Sequence, residues 1–538
     1  MKNWREPPAP IPREEIEEHY QSEVVIVGMG YAGSAAVRAA AEAGADTIGI
    51  DAMYKEIYQA FGKDIGHINS KFLESRGVPK VDPIDFFNEW MRRSNNKANP
   101  GLIMKYCQKN GENMDWFFDA VGGPEAMDEL KISFWPAENA MGRELTGGKF
   151  WIGTAQFKMP GFMPPRPVVL PKLQPKDLLL ANQAKAEEAG ARLFYGIEAL
   201  YLLKDGKRVS GVVGKRRSGG YVEFRASKGV VLACGDFAGD VDMVNELCTD
   251  VYDLFVGPDK GFKKPKFGRN GAGVKMGYWA GGRIEPRPVA TMGGNHQLPG
   301  GLGANFSQLL LNCEGKRYCN ELYGDPVHAG FPGAQMKRGE CYSIYDSEFT
   351  KFLENAVCSH GGFDRSDPVL LKRIQDAMAG AKASENGYFH YELGGALNID
   401  IWCGNTVEEL AKNAGLSEEV AKNMATSVKR YNELCEKGRD EDFGRLPSLM
   451  VPLNNPPYYL TKIPPFRPGF MLVTVGGLET DENQNVLDDA YERIPGLYAT
   501  GNCCGRRFGP QYSTPIAGVS IGCAIVLGRE AGIAAATL

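Results

Sequence analysis

The first clear element along the chain is an apolar run from Glu23 to Val27, whose β-branched residues predict a buried strand of a parallel sheet. An alanine-rich stretch from Ser34 to Ala43 then predicts a helix, because alanine has the highest helix propensity. A second strand is predicted from Thr47 to Ile50. The order strand, helix, strand indicates an α/β protein with a parallel sheet.

The same kind of pattern returns in the second quarter of the chain and near its end. It predicts a helix at 176–188, strands at 191–195, 209–215, 221–225, 229–233 and 496–500, and a long helix of small residues at 517–536. This α/β pattern is absent from about Thr291 to Leu460. That region contains polar loops and amphipathic helices, which are predicted at 406–414 and 417–437. We therefore expect an inserted domain in this region.

Composition narrows the possible functions. Glycine accounts for 66 of 538 residues, well above the average of about 7%, which favours an enzyme that holds a ligand close to its backbone. The net charge is −5 and no block of basic residues occurs, so no nucleic-acid partner is expected. The N-terminus has no signal-peptide core, and we expect a cytoplasmic protein without a membrane span. The 12 cysteines contain no CxxC pair, and free thiols are expected rather than a metal site.

Gly28, Gly30 and Gly33 follow the first strand in the spacing GxGxxG, and Asp51 follows the second strand. In this arrangement the glycines allow a tight turn, close approach of a pyrophosphate and close packing of the helix, while the acid holds a ribose hydroxyl. The chain is therefore predicted to bind a dinucleotide. The motif alone leaves NAD and FAD open.

Several further segments make the chain resemble the FAD-dependent fumarate reductase and succinate dehydrogenase flavoprotein superfamily, in particular its 3-ketosteroid dehydrogenase and steroid reductase branch. The resemblance is carried by residues 27–33, 231–237, 271–277, 313–321, 474–478 and 494–502. It implies FAD and a Rossmann-like FAD-binding domain built from both ends of the chain, residues 1–292 and 461–538. Residues 293–460 would then form an inserted α+β cap domain.

The resemblance, together with the glycine motif, also implies which residues contact the cofactor. These are Gly28, Gly30, Ala32, Gly33, Asp51, Ala52, Gly62, Ile65, Gly66, Gly235, Asp236, Gly501, Asn502, Ala517, Gly518, Val519, Ser520 and Ile521.

Two departures from the superfamily bear on the substrate. The histidine and the arginine that hold carboxylates in fumarate reductases align with Val473 and Tyr512. A buried dicarboxylate needs charged partners, so fumarate is a poor candidate. The neighbouring pair Arg506 and Arg507 could bind a pyrophosphate or a carboxylate, although paired arginines more often lie at the surface.

For the steroid branch, the resemblance assigns catalytic roles to a few side chains. Tyr512, with a backbone N–H at Ile516 or Ala517, would hold a ketone oxygen. Tyr323 is the first candidate for the proton donor and Asp325 the second, and Arg467 and His296 are further possibilities. The apolar side chains of Trp402, Phe466, Phe470, Met471 and Phe508 suit either a flat apolar ligand or an ordinary core.

The expected reaction is hydride transfer from flavin N5 to a C=C bond conjugated to a ketone, in a small apolar substrate such as a steroid or another polycyclic enone. The same site run in reverse would be a 3-ketosteroid dehydrogenase. A flavin electron-transfer subunit without its own organic substrate is the alternative from another class. The sequence has no second dinucleotide motif, so a separate electron donor or acceptor is expected.

Overall fold

The computed structural model describes residues 3–60, 62, 64–128, 130–132, 143–145, 148–151, 153–157, 172–249, 268–292, 308–321, 339–349, 368–391, 399–463 and 473–537. The strands in these ranges are β1 Ile16–Val27, β2 Thr47–Asp51, β3 Asp64–Gly66, β4 Lys131–Ile132, β5 Arg143–Leu145, β6 Gly148–Phe150, β7 Thr154–Gln156, β8 Arg192–Tyr195, β9 Ile197–Asp205, β10 Arg208–Arg216, β11 Tyr221–Leu232, β12 Thr291–Met292, β13 Leu309–Leu311, β14 Cys341–Tyr345, β15 Tyr388–Tyr391, β16 Ile399–Gly404, β17 Tyr458–Ile463, β18 Val473–Thr474, β19 Asn485–Leu487 and β20 Arg493–Ala499.

The α-helices in the same ranges connect and cover these strands. They are α1 Tyr31–Glu42, α2 Lys71–Ser75, α3 Pro83–Arg93, α4 Pro100–Asp119, α5 Gly123–Ala126, α6 Pro175–Glu188, α7 Val241–Leu247, α8 Ala272–Trp279, α9 Pro368–Ala383, α10 Val407–Asn413, α11 Glu418–Lys437 and α12 Val519–Thr537.

An eight-stranded sheet forms the centre of the larger unit, with the strand order β19-β20-β11-β1-β2-β8 and with β10 and β9 added beside β11. The pairs that β1 makes with β11 and β2, and those of β2 with β8 and β11 with β20, are parallel. Val24, Val25 and Ile26 have no exposed surface, as the apolar run predicts for a strand covered on both faces. The predicted α/β class is confirmed.

Two strands of this sheet differ from the sequence prediction. Strand β1 begins at Ile16 rather than at Glu23, because its polar first half pairs with the first half of β11. Residues 221–232 form one strand instead of the two predicted, and the parallel register shifts between Ser22 and Val24. The two strands therefore continue to pair on both sides of this irregular position.

Helix α12 packs along α1 through small residues. A Cβ at Gly528 would lie 2.4 Å from the carbonyl oxygen of Ala32, and one at Gly532 would lie 2.2 Å from that of Ala36. Within the described residues α12 is also the one helix long and apolar enough to cross a membrane, with 72% of the tested window buried inside the protein. That burial is typical of a core helix, which also explains its uniform apolarity.

The inserted region contains a second sheet, in agreement with the expected α+β class, although the sequence analysis predicted none of its strands individually. It is antiparallel and has the strand order β13-β14-β17-β16-β15, with α10 and α11 contributing to its hydrophobic core. The predicted domain limit at residue 460 falls inside β17, which continues to Ile463 and pairs with Cys341 there.

The connections into and out of the inserted region lie side by side. Strand β12 pairs antiparallel with β18, so that Met292 stands opposite Val473. The chain therefore enters and leaves the inserted region at one point, where β12 and β18 pair.

Candidate cofactor and active site

The turn between β1 and α1 has the shape that the glycine spacing predicts. Gly28 has a φ of +91°, and a Cβ on Gly33 would lie 1.7 Å from the Gly28 carbonyl oxygen. Gly30 precedes α1, and a Cβ there would meet no atom within 4 Å. The turn therefore packs tightly on its inner side, and it leaves open space at the N-terminus of α1, where a phosphate is favoured.

Asp51 is buried and acts on this turn. One carboxylate oxygen accepts the Met29 N–H at 2.7 Å and the other accepts the Met53 N–H at 2.8 Å, while burial raises the pKa of the carboxyl. Ala52, which was also predicted to contact the cofactor, lies between Asp51 and Met53 in the sequence. The carboxylate orders the backbone on both sides of the predicted nucleotide site, and its bond to a ribose hydroxyl stays a prediction.

The end of β11 supplies the second predicted segment. Gly235 has a φ of +82° with open space where a Cβ would point. Asp236 is buried and makes two hydrogen bonds to Arg269, at 2.9 and 2.7 Å, and it accepts the Thr474 N–H at 3.2 Å. Its side chain therefore joins β11 to β18, and Gly235 is left as the part of this segment that a ligand can approach.

The C-terminal segment returns to the same turn. Gly501 has a φ of +59°, and a Cβ there would lie 2.8 Å from the Cβ of Ala32 on α1. Asn502 accepts a hydrogen bond from Arg507 at 2.9 Å. Residues from both ends of the chain thus meet at the start of α1.

Strand β3 crosses the beginning of α12 with its backbone in direct contact. Gly66 donates its N–H to the Gly518 carbonyl at 2.9 Å, and a Cβ on Gly66 would lie 2.0 Å from the Ala517 carbonyl oxygen. Gly518 has a φ of +73°, and a Cβ at Gly62 would meet Ile521. Ile65, Val519 and Ser520 lie within this crossing, and all three are buried.

Tyr512 lies next to this crossing. Its side chain is fully buried against Phe508, with ring centroids 4.7 Å apart, and its hydroxyl accepts the Ser520 N–H at 2.9 Å. The first N–H groups of a helix need acceptors, and Tyr512 serves α12 in this way. In this bond the hydroxyl is the acceptor, and its expected role in holding a ketone oxygen stays a prediction.

The predicted apolar cluster is not brought together by the residues described. Phe508 belongs to the core around Trp90, on which it stacks with centroids 5.7 Å apart. Trp402 packs with the core of the second sheet. The other candidates for catalysis or for this cluster, namely Tyr323, Asp325, Arg467, His296, Phe466, Phe470 and Met471, lie outside the described residues.

An ionic network that the sequence analysis missed fixes the segment leading to Tyr323. Glu321 accepts two hydrogen bonds from Arg317, at 2.9 and 3.0 Å, and Arg317 also binds Asp440 at 3.0 and 2.8 Å. Arg445 donates to Glu321 at 3.4 Å. The segment 313–321, which carries part of the family resemblance, was the one sequence feature that pointed to this network. Its partners Asp440 and Arg445 are more than 100 residues away along the chain.

The described residues leave room for a dinucleotide at the glycine turn. Open space occurs at Gly30 and Gly235, and Gly501 brings the C-terminal part of the chain to Ala32 beside Gly30. No group of three or more potential metal ligands occurs in the part of the chain that the structure describes, and the cysteines described there are free.

Comparison with known proteins agrees with this geometry. The sequence model of the family "FAD binding domain" matches residues 23–519. The chain is 23% identical to vinyl phenol reductase of Lactiplantibacillus plantarum, over 96% of this chain and 97% of that protein. It is 24% identical to digoxin reductase of Eggerthella lenta, over 96% of this chain and 87% of that protein.

Solved structures share the fold. The 3-ketosteroid-Δ4-(5α)-dehydrogenase from Rhodococcus jostii RHA1, in complex with 4-androstene-3,17-dione, matches with a TM-score of 0.68 and 23% identity. The match covers 98% of this chain and 100% of that one.

Proposed function

The chain belongs to the FAD binding domain family, and from that premise we propose that this FAD-dependent oxidoreductase reduces a C=C bond conjugated to a ketone. The proposed substrate is a steroid-like or other polycyclic enone. The family match confirms the predicted resemblance and FAD as the cofactor.

One observation carries the choice of an uncharged substrate. By the resemblance, the histidine that holds a carboxylate in fumarate reductases aligns with Val473 and the arginine falls near Tyr512, and neither of these residues is a cation. Val473 lies on β18 opposite Met292, and the Tyr512 hydroxyl, which is uncharged, accepts the Ser520 N–H. Desolvating a dicarboxylate without charged partners costs several kcal/mol per ion, which disfavours fumarate and leaves an apolar ligand as the better candidate.

The relatives support the same class of reaction. Vinyl phenol reductase and digoxin reductase resemble this chain over almost its whole length. In the proposed reaction the β-carbon of the enone gains a hydride and the α-carbon gains a proton, so two electrons and two protons are consumed for each C=C bond. A separate electron carrier replaces the two electrons.

FAD, when bound, supplies the electron pair through its N5 atom. The chain contributes the surrounding electrostatics and the proton. The N-terminus of α12, beginning at Val519, offers the positive end of a helix dipole to a developing negative charge. Tyr323, Asp325 and Arg467 remain the candidate proton donors, and the network of Arg317 with Glu321 fixes the chain just before the first two.

The test uses the purified holoprotein, reduced with dithionite in the absence of oxygen. Reoxidation of the flavin is followed by absorbance after adding steroid enones, other polycyclic enones, vinyl phenols, cinnamates or fumarate. We expect fast reoxidation by one or more conjugated ketones and none by fumarate.

The other outcomes identify the alternatives. Reoxidation by fumarate alone contradicts the proposal. Reoxidation by no compound in the panel favours an electron-transfer subunit. If the oxidised protein dehydrogenates a saturated 3-ketosteroid with a dye as acceptor, and the reduced protein reduces no enone, then the direction proposed here is wrong.

A further inference from the structure

A clasp of two hydrogen bonds joins the segment after β11 to Thr474 on β18. The Asp236 carboxylate accepts the N–H of Thr474 at 3.2 Å, and the next residue, Phe237, donates its own N–H to the Thr474 hydroxyl oxygen at 3.0 Å. Thr474 has no exposed surface. Two consecutive residues thus bind the amide and the hydroxyl of one buried threonine.

Arg269 holds the acidic side of this clasp in place. It makes two hydrogen bonds to the Asp236 carboxylate, and its carbonyl oxygen accepts the Gly239 N–H at 2.7 Å. The Asp236 carbonyl oxygen accepts the Gly271 N–H at 3.1 Å. A buried carboxylate needs charged or hydrogen-bonded partners, so Arg269 keeps this one ordered in the orientation that reaches Thr474.

One end of the clasp lies next to the dinucleotide turn. Ala233 donates its N–H to the Val27 carbonyl oxygen at 2.8 Å, and a Cβ on Gly28 would lie 2.6 Å from the Ala233 carbonyl oxygen. Gly235 leaves open space where its Cβ would point. Ligands of open parallel α/β sheets bind at the carboxyl ends of the strands. The segment that such a ligand approaches here continues directly into Asp236.

The other end of the clasp lies where the chain leaves the inserted region. Thr474 stands opposite Thr291 of β12, and the Val475 N–H donates to the Ala290 carbonyl oxygen at 2.9 Å. Val473 comes immediately before Thr474, and the resemblance aligns it with the histidine that holds a carboxylate in fumarate reductases. The clasp therefore joins a cofactor segment to an expected substrate position.

We propose that Thr474 is a positioning residue whose clasp couples FAD binding to the placement of Val473. When FAD is bound, residues 235–237 open less often, and the two hydrogen bonds pass this ordering on to β18. Coupling requires two sites and a physical contact that both of them bias, and the clasp supplies that contact. The effect of FAD on β18 depends only on the cofactor, whereas the effect on the substrate through Val473 rests on the proposed function.

Hydrogen exchange followed by mass spectrometry measures the coupling without any enone. Exchange of the Thr474 and Val475 amides is compared in the FAD-loaded protein and in the same protein after removal of FAD, because exchange reports local opening. We expect FAD to slow this exchange at least about tenfold in the wild type. In Thr474→Val, which replaces the hydroxyl by a methyl group, the effect of FAD should fall below about threefold. Thr474→Ser keeps the hydroxyl and should restore the wild-type response.

Thr291→Val is the matched control for the threonine variant. It makes the same change on the partner strand β12 and leaves both bonds to Thr474 in place. Its exchange should therefore respond to FAD as the wild type does.

A second variant decides the question if Thr474→Val does not retain FAD. Arg269→Gln removes the charged partner that orders the Asp236 carboxylate, and its side chain is partly exposed. We expect the effect of FAD on β18 to fall below about threefold here as well. Lys275→Gln breaks the nearby ion pair of Lys275 with Asp240, at 2.6 Å, and should leave the response unchanged.

The inference is overturned if FAD leaves the exchange of β18 unchanged in the wild type, or if Thr474→Val and Arg269→Gln keep the full response. For an enone that the acceptor panel identifies, Thr474→Val should raise KM at least about fivefold and Thr474→Ser should not. An unchanged KM in Thr474→Val overturns the link to Val473. If the panel identifies no enone, the proposed function fails, and the exchange data still decide the coupling.

Discussion

Two glycines of the phosphate turn are required for different reasons, which single substitutions can separate. A methyl group at Gly30 meets no atom within 4 Å, and its φ of −63° suits alanine. At Gly33 the methyl would lie 1.7 Å from a carbonyl oxygen. We expect Gly30→Ala to fold normally but to bind FAD at least about tenfold more weakly, because the methyl occupies the phosphate space. Gly33→Ala should destabilise the apoprotein by about 1–3 kcal/mol through overpacking.

Denaturant unfolding of the apoproteins and fluorescence titration with FAD measure the two effects independently. The two variants serve as controls for each other, since each adds one methyl to the same turn. If Gly30→Ala is as unstable as Gly33→Ala, or binds FAD like the wild type, then the open space before α1 is not where the cofactor binds.

Spacing along the chain predicted the phosphate turn but not the environments of single side chains. Gly28, Gly30 and Gly33 could be interpreted because their backbone requirements follow from a local motif. Arg506 and Arg507 are neighbours in sequence, yet one pairs with Glu479 and the other is buried. The bond between the Ser520 N–H and the Tyr512 hydroxyl was not predicted for the same reason, because it depends on how α12 packs against Tyr512.

At the scale of elements, the contact between α1 and α12 depends on residues without side-chain bulk. Helix propensity alone would make Gly532→Ala stabilising by about 0.5–1 kcal/mol. Its Cβ would, however, lie 2.2 Å from the Ala36 carbonyl oxygen, and overpacking costs about 1–3 kcal/mol. We therefore expect net destabilisation, measured as a lower denaturation midpoint. Thr537→Ala, on the exposed end of the same helix, should change stability by less than about 0.5 kcal/mol, and a stabilised Gly532→Ala protein would contradict the close packing.

The elements that the sequence predicted well are those with long local patterns. Helix α11 was predicted at 417–437 and is observed at Glu418–Lys437, with Ser417 as its N-cap. The strands of the second sheet were not located in the sequence because they are short and pair across long distances along the chain. Strand β13 has only three residues, and β14 pairs with β17 more than 100 residues later, so no local periodicity indicates either of them.

At the scale of the whole molecule, the larger unit is built from both ends of the chain and the insertion leaves it through one pair of strands. Residues from β1, β2 and β11 share a sheet with β20, and Gly501 meets Ala32 at the start of α1. Among the described residues, these contacts between cofactor segments include no residue of the second sheet. The substrate, by contrast, is expected to depend on the inserted region.

The pairing of Met292 with Val473 allows a direct test of this division. Replacing residues 293–472 by Asn-Gly would join β12 to β18 through a two-residue hairpin turn, which favours that dipeptide. We expect the shortened protein to fold and to bind FAD with an affinity within about tenfold of the full chain, because the glycine turn, Gly66 and α12 are all retained. Enone reduction should fall below detection, since Tyr323, Asp325 and Arg467 are removed.

Flavin absorbance after gel filtration measures FAD binding, and the acceptor assay measures enone reduction. The Gly30→Ala change in the shortened protein is the control for specific binding. A folded but colourless product would show that the inserted region is part of the FAD site, and retained turnover would exclude all three candidates as the proton donor.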